Sequence, residues 1–284
     1  MLTINPIRTG MYAAIIAATL SSPTFAEEEA NTTAVDTAAQ TEEELQDMSD
    51  PLAIFTQAGF GFSDKGINIK YGATYATGKE NTAGMQLVEI KGIGGEAVGW
   101  SGNNGRDNSI DSIRYRDFQV SFDNGRGRMI DLDYNFDTDS GSGSYNFIQA
   151  LPKFGPVQLF PLAGLGVSIA NNYQYATPEE LQTGESDVRD GISVPGVFGA
   201  VGMYSVIKAT DKLWFNYNPI WMSTIGGSDK YVDYGFAGKG DILLHEAAMS
   251  YQINPRLNVR YFANWNEHVD YVDGDHRIEF NYQF

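Results

Sequence analysis

The stretch HRIEFNYQF, residues 276–284, sorts its side chains by parity: Ile278, Phe280, Tyr282 and Phe284 share one face, and Arg277, Glu279, Asn281 and Gln283 share the other. A β-strand sends successive side chains to opposite faces. The stretch therefore reads as a strand with one apolar and one polar side, because a helical repeat of 3.6 residues would mix the two classes on every face.

Moving towards the N-terminus, the same pattern returns. Ile130, Leu132, Tyr134 and Phe136 alternate with Asp131, Asp133 and Asn135, and Ile67, Ile69, Tyr71, Ala73 and Tyr75 alternate with Asn68, Lys70, Gly72 and Thr74. Leu213 to Trp221 and Leu257 to Trp265 repeat it. The segments so found lie near 52–62, 66–78, 84–93, 110–122, 127–137, 144–151, 156–170, 194–207, 212–222, 241–252, 257–266 and 276–284. They predict an all-β fold, a single antiparallel transmembrane β-barrel of twelve strands. Ten strands stays open, because the third segment has two competing phases and the sixth is short.

The connections alternate in length as well. KENTAG, DNGRG, PKFGP, ATDK and INPRLN are brief and rich in turn residues, whereas the intervening set holds SGNNGRDNS, 171–193, 223–240 and NEHVDYVDGD. Bacterial barrels have an even strand number, short periplasmic turns and longer outer loops. Only SDKG and TDSGSG are short in the outer set. Trp100, Trp221, Trp265, Tyr282 and Phe284 fall where aromatic girdles meet the two membrane interfaces.

The N-terminus has Arg8, an apolar run from Met11 to Leu20 and the small-residue stretch SSPTFA, the pattern of a secretory signal peptide with a cut after Ala26. That run is far short of the roughly 20 residues a membrane-crossing helix needs. Residues 27–50 hold nine acidic and no basic side chains. Low hydrophobicity with charge of one sign predicts a disordered periplasmic leader. The expected organisation is thus 1–26 signal peptide, 27–50 leader and 51–284 barrel. Of the 284 residues 36 are acidic, 19 basic and none cysteine. This excludes disulfides, a thiol-linked lipid anchor and a cysteine zinc site, and a chain without a basic stripe is no nucleic-acid binder.

A signal peptide, amphipathic strands and a last strand closing on phenylalanine together resemble the bacterial outer-membrane β-barrel class over residues 52–284. The resemblance implies export to the outer membrane, with lipid and lipopolysaccharide around the barrel. It also implies that Phe280, Tyr282 and Phe284 serve as the signal for the barrel assembly machinery. Twelve strands is similar in size to small oligosaccharide- and nucleoside-selective channels and to outer-membrane phospholipase, without a motif shared with any of them.

Between eight strands, whose interior fills, and sixteen, which leave an open channel, a barrel of this size suits a narrow charged pore. Its lining is expected to include Lys70, Asp131, Asp133, Glu246, Arg260, Arg277 and Glu279, with Arg114 and Arg116 near the outer rim. These two arginines share a phase with Phe118, Val120 and Phe122, which should face lipid, so either a bulge near Asp117 turns them inward, the favoured reading, or they sit on the outer face above the hydrocarbon and meet lipopolysaccharide phosphates. The leading expectation is a porin-like channel for passive diffusion of small solutes, without cofactor or chemical step. The alternative is a closed barrel acting as a structural or surface-interaction protein, and behind it an outer-membrane lipid hydrolase. A hydrolase needs a histidine base near a serine, but no GxSxG is present. His245 falls on the lipid-facing phase, His268 in the last outer loop and His276 at the start of the last strand. Asp270, Asp273 and Asp275, like Asp229 and Asp233, lack the full calcium-loop pattern and read as solvated loop acids. Thr177-Pro178 marks the start of a possible short helix in the 171–193 loop, or that loop folds into the mouth as a constriction.

Overall fold

A computed structural model describes residues 45–100, 108–171 and 191–284. The described strands are β1 (Gln57–Ser63), β2 (Gly66–Ala76), β3 (Thr82–Ile93), β4 (Ser112–Ser121), β5 (Arg126–Asn135) and β6 (Ser140–Gln149). They continue with β7 (Val157–Asn171), β8 (Ile192–Lys208), β9 (Leu213–Gly227), β10 (Asp241–Asn254), β11 (Leu257–Asn266) and β12 (Asp275–Gln283). Among the described residues two short helices, α1 (Gly95–Val98) and α2 (Asp229–Tyr234), lie in connections. Each strand pairs antiparallel with its sequence neighbours, and β1 pairs with β12 from Gln57↔Gln283 to Ser63↔Arg277. The sheet is a closed twelve-stranded barrel. Closure leaves no free edge, so every strand finds ladder partners on both sides.

Connections at the end carrying the first residue of β1 and the last of β12 are short. They are 77–81, 122–125, 150–156, 209–212 and 255–256. At the opposite end, the connections 94–111, 172–191, 228–240 and 267–274 are longer. The residues 101–107 and 172–190, including the expected helix start at Thr177-Pro178, lie outside the described residues. So do residues 1–44, with the expected signal peptide and most of the expected leader.

Residues 45–56 depart from the expected organisation. The sequence reading placed 45–50 in a disordered leader and 52–56 in the first strand. Instead 47–52 form turns, Met48, Ser49 and Leu52 are buried, and β1 starts only at Gln57. Asp47 and Asp50 stabilise those turns locally. The Ser49 backbone N–H donates to Asp47 Oδ1 at 2.9 Å, and the Leu52 N–H donates to Asp50 Oδ1 at 2.8 Å. Their short side chains compete well for nearby backbone donors, which is why such residues favour turns.

The expected bulge in β4 is absent among the described residues: β4 keeps one register against β3 and β5 throughout. Arg114, Arg116, Phe118 and Val120 all face inward together. Asp117 and Gln119 take the outer face instead, where they join Tyr75 and Arg128. The Tyr75 hydroxyl donates to Asp117 at 2.9 Å, Gln119 Nε2 donates to that hydroxyl at 2.9 Å, and Arg128 Nε donates to Gln119 Oε1 at 3.0 Å. The apolar residues of β4 point inward because the short-turn end of the barrel is filled with apolar side chains. Leu52, Val120, Phe160, Val206 and Trp214 form one buried cluster, flanked by Ile54, Ile148, Ala150 and Tyr204.

The β8–β9 ladder has a gap. Gly202↔Ile220 and Val206↔Asn216 are paired, and the residues between are not. Pro219 lies in that gap and has no N–H to give a ladder. Side chains take over. The Ser205 N–H donates to Asn218 Oδ1 at 3.1 Å, Asn216 Nδ2 donates to the Ser205 carbonyl at 2.9 Å, and the Tyr217 N–H donates to Ser205 Oγ at 3.1 Å.

Candidate functional site: the charged lumen

Inward positions on β2–β5 and β10–β12 carry the barrel's charge. Lys70 on β2 and Glu279 on β12 are separated by β1, and they meet above it, Nζ to Oε2 at 3.1 Å. Glycines at Gly59 and Gly61 allow this. A Cβ at Gly59 would lie 2.5 Å from Lys70 Cε, and one at Gly61 would lie 2.8 Å from Glu279 Cγ. Glu279 is also shared by Arg277, Nε to Oε1 at 2.6 Å. Arg277 and Arg260 both lie over the ring of Phe262, at 4.3 and 4.6 Å from its centroid. Such cation–ring contacts are strengthened when the ring is desolvated, and Phe262 is buried.

Arg114 grips Asp131 with two parallel hydrogen bonds, Nε to Oδ1 at 2.8 Å and Nη2 to Oδ2. Arg116 pairs with Glu89 at 2.6 Å. Asp133 accepts from Ser142 Oγ at 2.6 Å, and Glu246 accepts from Asn218 Nδ2 at 2.8 Å. Arg260 donates to Ser250 Oγ at 2.9 Å and to Asn216 Oδ1 at 3.2 Å. Of the residues expected in the lining, Lys70, Arg114, Arg116, Glu246, Arg260, Arg277 and Glu279 border one cavity of about 1140 Å³. Asp131 and Asp133 face the same way, opposite Arg116 and Arg114 in the β4–β5 register.

Glu89 and Lys91 also line this cavity, and sequence reasoning missed both. On β3 the inward set Met85, Leu87, Glu89, Lys91 and the outward set Gln86, Val88, Ile90 each mix apolar and polar residues. Parity alone cannot choose between them. The usable signal is the neighbour strand, since Lys70 stands directly across from Glu89.

The remaining wall is different in kind. Strands β6, β7 and β9 contain no Asp, Glu, Lys or Arg, and β8 has only Lys208 at its end. Inward residues here include Ser142, Ser144, Asn146, Gly164, Gly166 and Ala200. A charged wall thus faces a neutral one, whose cavity lining includes Asn146, Leu162, Tyr204, Asn216, Asn218 and Ile220. The segment 48–53 forms the floor of the cavity at the short-turn end.

Outside, apart from the group Tyr75, Asp117, Gln119 and Arg128, the barrel is mainly apolar. Phe60, Ile69, Ile130, Leu132, Phe147, Leu165, Val201, Ile278 and Phe280 are all exposed there. In water so large an exposed apolar surface would drive association, whereas an outward apolar band over a polar interior is what a membrane-spanning barrel requires. The fold is that of the bacterial outer-membrane β-barrels. Among the described residues no helix is long and apolar enough to cross a membrane. Trp100, Trp221, Tyr282 and Phe284 of the expected girdles are exposed on this barrel, and Trp265 is half-buried.

Of the three histidines, His245 and His276 also border the cavity, towards its long-loop end. His245 Nδ1 lies 2.8 Å from the Tyr217 hydroxyl, His276 Nδ1 lies 2.7 Å from the Tyr261 hydroxyl, and His268 lies beside Glu267 at 3.4 Å. His245 stacks on Trp265 at 5.2 Å between ring centroids. These partners are phenols and a carboxylate rather than serine hydroxyls. Among the described residues no three His, Asp or Glu side chains converge as a metal site, the loop acids Asp229, Asp233, Asp270, Asp273 and Asp275 included.

No family model matches the sequence, and no curated protein matches it. The chain is similar in fold to the solved NanC porin, at a TM-score of 0.46 and 7% identity, over 81% of this chain and 100% of that one. It is similar to the KdgM porin at 0.42 and 7%, over 81% and 99%. The translocator domain of the autotransporter NalP from Neisseria meningitidis scores 0.42 at 12% identity, over 81% and 86%.

Proposed function

We propose that this barrel is a small channel of the bacterial outer membrane that passes small polar solutes by passive diffusion. In this reading the signal peptide 1–26 exports the chain, and the short-turn end faces the periplasm. Lipid and lipopolysaccharide border the apolar belt. Phe280, Tyr282 and Phe284 on the outer face of β12 engage the barrel assembly machinery.

The supporting observation is the division of the lumen into two walls. Lys70, Lys91, Arg114, Arg116, Arg260 and Arg277 stand among Glu89, Asp131, Asp133, Glu246 and Glu279, opposite strands with almost no charge. Rings and ladders of this kind set selectivity in pores. The two signs nearly balance, so a solute meets a strong field across the lumen and little net charge along it. Solutes bearing both a polar and a neutral face suit that arrangement, and neither simple cations nor anions are strongly favoured. In this reading the protein is a conduit, without a chemical step.

Single-channel recording in planar bilayers tests this. Discrete steps with a weak preference between potassium and chloride are expected, and Arg116→Ala should shift the reversal potential towards cations. A second reading, a closed barrel that acts through its surface, draws on the apolar cluster around Leu52 and Phe160. It requires that folded protein give no steps under any condition.

A further inference from the structure

We propose that residues 46–55 are a removable plug, which closes the periplasmic mouth while seated and opens the channel by withdrawing as one unit. The proposal rests on the channel reading and specifies how that channel is regulated.

Three features of the segment carry it. First, it lies in the barrel mouth without belonging to the barrel. Ladder pairing begins at Gln57, so withdrawal breaks no strand pairing. Second, its shape is held by its own bonds. The Asp50 N–H donates to the Asp47 carbonyl at 3.0 Å and the Ala53 N–H to the Asp50 carbonyl at 3.1 Å, in addition to the bonds to the Asp47 and Asp50 side chains. A segment with internal turns moves without first losing its local structure.

Third, the seat is made of separable contacts. The Gln46 backbone and the Gln283 amide exchange two hydrogen bonds, 3.1 and 3.0 Å. Asp47 pairs with Lys208 at 2.6 Å, with both side chains about half exposed, and such an exposed pair contributes little. Met48 sulfur accepts from Gln252 at 3.3 Å. Leu52 is the anchor, buried against Val120, Phe160, Val206 and Trp214. Residues 48–53 line the cavity at its short-turn end, where a seated segment narrows the way out. Met48 and Leu52 are the only apolar plug residues below a tenth exposed among those described, so substitution at Leu52 addresses the seat directly.

The chain has no native cysteine, which allows a clean test in the full-length protein. Asp47→Cys is combined with Lys208→Cys and bridged by a short, reducible bis-thiosulfonate reagent. In parallel, Leu52→Asp weakens the anchor. Folding of each form is checked by heat-modifiable gel migration before planar-bilayer recording. The bridged protein is expected to fall silent and to recover its steps on reduction. Leu52→Asp is expected to raise the open fraction at least about tenfold, the change that roughly 1.4 kcal/mol produces. A bridged protein that conducts like the unbridged one overturns the plug while leaving the channel intact. Folded proteins that are silent in every form, Leu52→Asp included, overturn the channel and the plug together.

Discussion

Removing the Arg116 guanidinium leaves Glu89 as a buried carboxylate without its partner. The Glu89 side chain is 8% exposed, that of Arg116 19%, and the two meet at 2.6 Å. Breaking a buried pair from one side costs about 3–5 kcal/mol. Lys70 and Arg114 flank Glu89 on the adjacent strands, but each is already engaged, by Glu279 and Asp131. They soften the loss without replacing the pair, which places Arg116→Met near the lower bound, about 3 kcal/mol. The double substitution Glu89→Gln with Arg116→Met removes both charges and should recover most of this, because similar-volume replacement of a buried pair is often close to neutral. Urea unfolding from lipid vesicles, followed by tryptophan fluorescence and gel migration, yields the three free energies and their coupling. If Arg116→Met lies within about 0.5 kcal/mol of wild type, the surface-like range, or if the double variant is worse than either single one, the pair is not buried as described.

Leu165→Arg places a cation on the outer face, between Tyr145 and Gly199, and should cost about 2–4 kcal/mol if that face meets hydrocarbon. Ser144→Arg, directed into the lumen, should fold almost normally, and the same unfolding assay compares them. Gly59→Ala should part Lys70 from Glu279, since a Cβ at Gly59 crowds only side chains, Lys70 first among them; it is read as a changed reversal potential in a barrel that still folds. Asn218→Ala removes an acceptor for the Ser205 N–H in the β8–β9 gap and should cost about 1–3 kcal/mol, the penalty of a buried donor left unsatisfied. Burial pushes the Asp50 carboxyl above the ordinary carboxylate range, against the Leu52 N–H that favours its ionised form. A raised folded-state pKa means the ionised form disfavours the seated plug: the penalty is present above that pKa and vanishes below the unfolded value, near 3.9. Asp50→Asn should therefore lower the open fraction at pH 7 and match wild type near pH 3, as recorded in bilayers.

Strand number, closure and the alternation of loop lengths were legible because each depends on short-range parity, as in Ile278 to Phe284. What escaped depends on partners far away in sequence. Phe118 and Val120 look like lipid-facing residues until Leu52, more than sixty positions earlier, is known to sit inside the barrel with Val120. Without that, inward arginines on β4 seemed to need a bulge, whereas the strand simply carries its apolar residues inward and Asp117 and Gln119 outward. Leu52 and Ile54 were read as strand because they too alternate, but Asp47 and Asp50 turn the backbone first. Glu89 and Lys91 were hidden by a strand with two mixed faces. The neutral wall formed by β6, β7 and β9 was present in the sequence as an absence of charge, and it acquired meaning only when closure set it across the barrel from β12 and β2, with Glu279 and Lys70.

The central claim is that water lies on one side of this sheet and hydrocarbon on the other. Single cysteines placed in turn at Met129, Ile130, Asp131, Leu132, Asp133 and Tyr134 of the cysteine-free chain, folded into vesicles, are exposed to a water-soluble maleimide. The account predicts labelling at 129, 131 and 133 and protection at 130, 132 and 134. Uniform labelling, uniform protection or the opposite parity would contradict it.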